Sequence, residues 1–376
     1  MFWLFWITVA FLGYTFLGYP LLLWLLSRRG GKSHGRAPIA PRITLIIAAH
    51  NAQNVIATKI ENCLQLTYPP DRREIIIATD GCDDATVAIA RSYSDRGICV
   101  VEQSQRRGKH YVQMMARDAS TGEILVFTDV GVSLEPDALQ TIAANFADAA
   151  VGAVSSEDWV VTPRARLGEA AYVSLEMWLR RLESRVGSLV GLSGSFFAAR
   201  RPVCQRWNPE QSSDFFIALN AVRQGMRAVV DTNSHGHFAV LPRETAEFGR
   251  KVRTIVHGLD VFFANLALLN PLRYGVFSWQ LISHKLFRWL LPFALGALLV
   301  ANVFLWQQGV FYRITLMVQG ALYLAGLLGL ARAGLVQFKP LKLAVFFLVG
   351  NAATVLAWVK FWSGEKFVTW EPSRRG

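Results

Sequence analysis

The chain has 376 residues, 39 Lys and Arg against 27 Asp and Glu, a net charge of +12 and 52% hydrophobic residues. A mean hydropathy of +0.29 points to membrane segments, and the length suggests two or three domains. The basic excess would suit nucleic acid or an anionic membrane surface, but no nucleic-acid module is present, and Cys63, Cys82, Cys99 and Cys204 form no CxxC pair for a zinc site or a disulfide framework.

Residues 2–26 carry no charge and are long enough to cross a bilayer core of about 30 Å. A secretory signal peptide would need its basic residues before the apolar run; here Arg28, Arg29, Lys32, Arg36 and Arg42 follow it. The segment therefore reads as an uncleaved anchor, amino terminus outside, with the chain beyond it cytoplasmic. Residues 27–41 form a Gly- and Pro-bearing juxtamembrane linker.

The pattern then changes to α/β. Residues 43–49 predict a buried strand that breaks at His50-Asn51, and 55–66 a helix with Ile56, Ile60, Cys63 and Leu64 on one stripe. A second strand (74–78) ends in Thr79-Asp80-Gly81-Cys82-Asp83-Asp84. A helix over 86–93 and a third strand over 98–102 follow. The basic turn Arg106-Arg107-Gly108-Lys109 precedes a helix over 110–119. The apolar run Ile124-Leu125-Val126-Phe127 then stops at Thr128-Asp129, with Gly131 and Pro136 beyond. Strands alternating with helices of this length predict a mostly parallel sheet covered on both faces. Open sheets of this kind bind ligands at the carboxyl ends of their strands, where Asp80 and Asp129 fall. The plain alternative for Asp129 is a cap on the next turn.

Past Val151 the pattern is mixed. A helical run over 168–183 leads to Gly191-Leu192-Ser193-Gly194-Ser195, a small-residue turn before an apolar strand, suited to close backbone approach to a ligand or simply to a tight turn. Asp214 opens a helix over 216–224, where an N-cap or first-turn acid is the ordinary role; a short strand over 225–230 follows. Within 244–257, Arg250 and Arg253 share one helix face, able to grip a diphosphate or only to face solvent near the membrane. Residues 259–289 mix aromatics with Arg273, His284, Lys285 and Arg288, as an interfacial amphipathic segment does. Residues 290–362 hold about three further spanning candidates, and 363–376 form a tail. Four crossings would put Lys366, Arg374 and Arg375 outside, against the positive-inside rule; a re-entrant or interfacial last segment is the alternative.

Together these residues resemble the membrane-bound family 2 glycosyltransferases, and among them the bacterial exopolysaccharide transferases related to cellulose and hyaluronan synthases. The resemblance runs from about Arg42 to Trp289 on the stretches IIAAHNAQ, TDGCDDAT, Gly108-Lys109, TDVG, GLSGSFFAARR and SSDF. It implies an α/β GT-A domain (a nucleotide-diphospho-sugar transferase fold) over 42–258, flanked by transmembrane helices. The donor, a nucleotide sugar and by family habit a UDP-sugar, would meet Ala49, Asn51, Asp80, Lys109 and Asp129. Asp129 would also hold Mg²⁺ or Mn²⁺; Gly131 stands where the family has a second acid, and Ala52 where it usually has one. Ser193 and Gly194 would face the acceptor, Asp214 would be the catalytic base, and Arg250 and Arg253 would stabilise the leaving diphosphate. Arg253 matches the Arg of the QxxRW motif of processive synthases, whose Gln and Trp are missing. The resemblance thus implies inverting transfer of a single sugar to a lipid-linked or glycan acceptor at the plasma (inner) membrane, with membrane lipids as partners and no nucleic acid. A processive synthase, a ceramide or diacylglycerol glycosyltransferase, and a binding-only nucleotide-sugar sensor are the alternatives.

Overall fold

The computed structural model describes residues 1–160, 167–238, 244–332, 338–365 and 367. The predicted tail lies outside the described residues except for 363–365 and 367.

Eight strands form one sheet: β1 Ile43–Ala49, β2 Arg73–Asp80, β3 Ile98–Gln103, β4 Ile124–Asp129, β5 Val132–Leu134, β6 Val151–Val160, β7 Phe196–Arg200 and β8 Arg227–Phe238. Their order is β3-β2-β1-β4-β7-β6-β8-β5. The β3-β2-β1-β4 half is parallel throughout. Beyond it β7 runs antiparallel to β4 and β6, β6 pairs β8 in parallel, and β5 closes the edge antiparallel to β8. The sheet is therefore mixed but mainly parallel. β5 and β6 escape a sequence reading because one is three residues long and the other turns polar after Val154.

Alternation along β1 builds two cores. Ile43, Leu45, Ile47 and Ala49 join the face covered by the helices Ile56–Leu64 and Ala138–Ala143. Ile46 and Ala48 join the face covered by Lys109–Ala119 and Ser213–Arg223. A strand buried on both faces is apolar nearly throughout, as β1 is, and its one polar side chain, Thr44, donates to Glu74 Oε2 at 2.5 Å.

Four helices are long and apolar enough to cross a membrane: Phe2–Gly30, Val276–Phe304, Val310–Ala331 and Pro340–Trp362. The first lies against the second, with Phe5 beside Ala301 and Leu305, and Tyr14 Oη 2.7 Å from Ser283 Oγ. Two sequence-stated boundaries are corrected. The helix Glu244–Phe263 runs through the expected break at 258, and residues 276–289 are continuous with the helix Val276–Phe304. The cause is side-chain pairing: His284 and Arg288, which made the segment look amphipathic, meet Glu176 and Glu183 of the domain helix Leu167–Val186 instead of water.

Candidate active site

The carboxyl ends of β1, β2 and β4 lie side by side, with Ala48 in register with both Ala78 and Asp129. β1 exits through Ala49 and His50 to Asn51, whose φ of 45° is one that Asn tolerates. Asn51 Oδ1 accepts from the Asp83 amide at 2.9 Å, and Asp84 Oδ2 from the Gln53 amide at 3.1 Å. The loops after β1 and β2 are thus zipped together. The Ala52 amide donates to Thr86 Oγ1 at 2.7 Å, so the position where the family has an acid is held by backbone.

Asp80 has no exposed surface. Its oxygens accept from the amides of Arg107 (2.6 Å) and Gly108 (2.9 Å), so it pins the basic turn to the end of β2. The turn needs its glycines: Gly108 has φ 97°, and a Cβ on Gly81 would fall 2.6 Å from the Arg106 nitrogen. Each Asp80 oxygen accepts one amide and keeps a second lone pair, so this pinning role stands beside the expected donor contact. Asp80→Ala should cost about 1–3 kcal/mol by orphaning these buried donors. A thermal melt in detergent checks this, and an unchanged midpoint would show that the turn holds without the carboxylate.

The pinned turn starts the helix Lys109–Ala119 and aims Lys109 across the strand ends. Its ammonium pairs with Asp129 Oδ1 and donates to the Gly194 carbonyl at 3.1 Å. The Asp129 amide donates to the Ser195 carbonyl at 3.1 Å, tying the end of β4 to the loop before β7. A second lysine lies behind. Buried Lys59 donates to Thr128 Oγ1 (3.2 Å) and to the Val132 carbonyl (2.5 Å), and burial lowers its pKa, with Asp129 opposing. Sequence reasoning missed it, although a Lys between Ile56 and Ile60 on the buried stripe was the signal.

The loop 191–195 carries the site toward Asp214. The Ser193 amide donates to Ser155 Oγ at 2.8 Å, and a Cβ on Gly194 would lie 3.2 Å from Asp214 Oδ2. Asp214, in the first turn of Ser213–Arg223, accepts from Ser212 Oγ, and its carbonyl accepts from the Leu192 amide at 3.3 Å. The sequence-named Asp129, Lys109, Gly194 and Asp214 are therefore one chain of contacts.

Two histidines escaped the sequence reading. His110 and His257 lie with ring centroids 5.8 Å apart, and His110 Nδ1 is 3.2 Å from the Ser213 amide nitrogen. Burial, then His257 and Lys109, push His110 well below its ordinary pKa, and burial lowers that of His257. Arg253 adds to both shifts, so its charge reaches this corner; Arg250 is exposed one turn earlier on the same helix face.

No cluster of three or more His, Cys, Asp and Glu suited to a metal occurs among the described residues. Mg²⁺-like ions keep several waters and bind through one or two carboxylates plus substrate phosphates. Asp129 fits such a substrate-borne ion, provided Lys109 gives way.

A half-parallel sheet with this carboxylate, lysine and small-residue loop at its carboxyl edge defines a GT-A nucleotide-diphospho-sugar transferase fold. The mannosyltransferase PcManGT from Pyrobaculum calidifontis, solved with GDP-Man and Mn²⁺, has this fold: its TM-score is 0.72 at 23% identity, covering 96% of this chain and 100% of that one. Residues 44–207 match the model of Glycosyl transferase family 2. Relatives include the beta-monoglucosyldiacylglycerol synthase of Trichormus variabilis, 25% identical over 46% of this chain and 39% of that protein. Another is the putative glycosyltransferase EpsH of Bacillus subtilis, 33% identical over 26% of this chain and 28% of that one. The chain thus matches well under half the length of these curated relatives.

Proposed function

We propose that the chain transfers one sugar from a nucleotide diphosphate sugar, by family habit a UDP-sugar, to a membrane-associated acceptor, with inversion. The observation that carries this reading is the contact chain Asp129–Lys109–Gly194–Asp214, which sets a diphosphate-side cation and a candidate base on either side of one small-residue loop.

Lys109 and Arg253 would meet the diphosphate, where negative charge grows as the glycosidic bond breaks. Asp214 would take the proton of the attacking hydroxyl. One base and one displacement invert the anomeric centre. A divalent ion, Mg²⁺ or Mn²⁺, would neutralise leaving-group charge when bound, with Asp129 as its protein ligand. Ala49 and Asn51 would border the nucleotide, and Ser193 the acceptor. The acceptor reading is a lipid-linked glycan, probed against diacylglycerol because of the glucosyldiacylglycerol synthase relatives.

The catalytic domain would face the cytoplasm at the inner membrane. The helix Pro340–Trp362 lies along Glu244–Phe263: Lys251 sits 4.3 Å over Phe346, Ala353 and Ala357 pack with Val252 and Val256, and Phe263 stacks on Phe361 at 5.2 Å. A last helix held in the interface by this pairing would leave the tail on the domain's side, in keeping with its basic residues. In a cysteine-free background, a membrane-impermeant maleimide should label Gln308→Cys in intact cells and Gly364→Cys only after permeabilisation. Labelling of both in intact cells would mean that the last helix crosses.

The test of function is nucleotide release by the purified protein in detergent, with a panel of nucleotide sugars, Mg²⁺ or Mn²⁺, and lipid extract. Release that needs both lipid and metal supports the transferase. Donor binding without turnover under every condition would favour the sensor instead.

A further inference from the structure

On the membrane side of Asp214 lies a group of charges, Arg180, Glu183 and His284 buried and Glu176, Lys285 and Arg288 half-buried, that the reaction leaves unused. Three of its four carboxylate oxygens hold other groups, and Glu183 Oε2 is buried with no hydrogen-bond partner among the described residues. Glu176 takes His284 Nε2 at 3.0 Å and Arg288 at 2.6 Å; Glu183 Oε1 takes His284 Nδ1 at 2.5 Å and the Tyr19 hydroxyl. Two cations remain. Arg180, 7% exposed, donates only to neutral oxygens, Ser155 Oγ at 2.6 Å and the Gly191 carbonyl at 3.2 Å. The Lys285 ammonium sits 5.2 Å from the Phe215 ring centroid and 3.5 Å from where a Gly191 Cβ would be. Neither forms an ion pair among the described residues. Both converge on Gly191, in the loop that touches Asp214, and Phe215 adjoins that acid in sequence. Glu176 and Glu183 act on Lys285 from beyond ion-pair distance and Arg180 has only neutral oxygens, so an anion arriving in contact with both cations would be favoured.

Depth along the helix suggests which anion. Lys285 lies in the π turn Ile282–Leu286 of the helix Val276–Phe304, and π turns are frequent at functional sites. Counting back from Phe304 at the helical rise puts Lys285 about 29 Å from the far end, roughly one hydrocarbon thickness. That is the level of lipid phosphates.

We propose that Lys285 and Arg180 form an anion subsite for the phosphate of a lipid acceptor, so that the acceptor carries a phosphate close to its attacking hydroxyl instead of a neutral glycerolipid head. This rests on the lipid-acceptor reading above, and it separates the acceptor classes which that reading leaves open.

The test is binding in maltoside detergent, which needs no turnover, with dodecyl phosphate, dodecanol, inorganic phosphate and UDP as probes. Wild type should bind dodecyl phosphate well above dodecanol and inorganic phosphate. Lys285→Met should weaken it by about tenfold to hundredfold, the range for one charge-assisted contact. Lys285→Arg should restore it, and UDP affinity should stay unchanged in both, which marks the fold and the donor site as intact. Should Lys285→Met misfold, Arg180→Gln supplies the same comparison. Equal binding of dodecyl phosphate and dodecanol, no loss in either variant, or inorganic phosphate binding as well as the alkyl ester would overturn the subsite. Failure of the transferase reading would show separately, as no sugar transfer by wild type to phosphate-bearing or neutral lipids.

Discussion

Asp214→Asn should reduce kcat by about a hundredfold to ten-thousandfold, the usual contribution of a positioned general base, while donor affinity stays near wild type. The amide keeps the shape of the carboxylate, and its oxygen can still accept from Ser212 Oγ, so the fold should stand. What disappears is the capacity to hold a proton from the acceptor. Single-turnover transfer and donor binding, measured side by side, check both halves. A variant that transfers at the wild-type rate would remove Asp214 from the chemistry and leave it as the first-turn acid of its helix.

Asp129→Ala should produce a different signature. The carboxylate stands between two cations, Lys109 bonded to it and Lys59 buried behind it. Removing it takes away the candidate ion's protein ligand, and turnover should fall by about a hundredfold to a thousandfold, as it does when a preorganised stabilising group is lost. Lys109 is released at the same time. Metal-free affinity for UDP should therefore hold or rise, while the gain from added Mg²⁺ or Mn²⁺ disappears. Titrating UDP with and without metal separates these effects. Full metal stimulation in the variant would mean that the ion binds elsewhere.

Much of this was legible from the chain. The parallel half of the sheet could be read because each strand is a continuous apolar run ended by a polar residue, and that order placed Asp80 and Asp129 at the strand ends. Lys109, Gly194 and Asp214 could be named only through short stretches in family order. Their spacing of 20 and 85 residues says nothing of contact, yet Lys109 bridges Asp129 and Gly194 in the fold.

The sequence by itself determined the α/β alternation, the apolar helices and the residue types that a sugar transferase needs, because burial and strand period are local properties. Only the tertiary structure decided what each charge meets. It bonded Asp80 to two backbone amides, set Lys109 on Asp129, and paired His284 and Arg288 with domain carboxylates so that an amphipathic-looking segment became half of one long helix. It also laid the last apolar helix along Glu244–Phe263. The physical reason is that the free energy of a charge depends on partners within a few ångströms, and those partners come from parts of the chain that hydropathy reads separately.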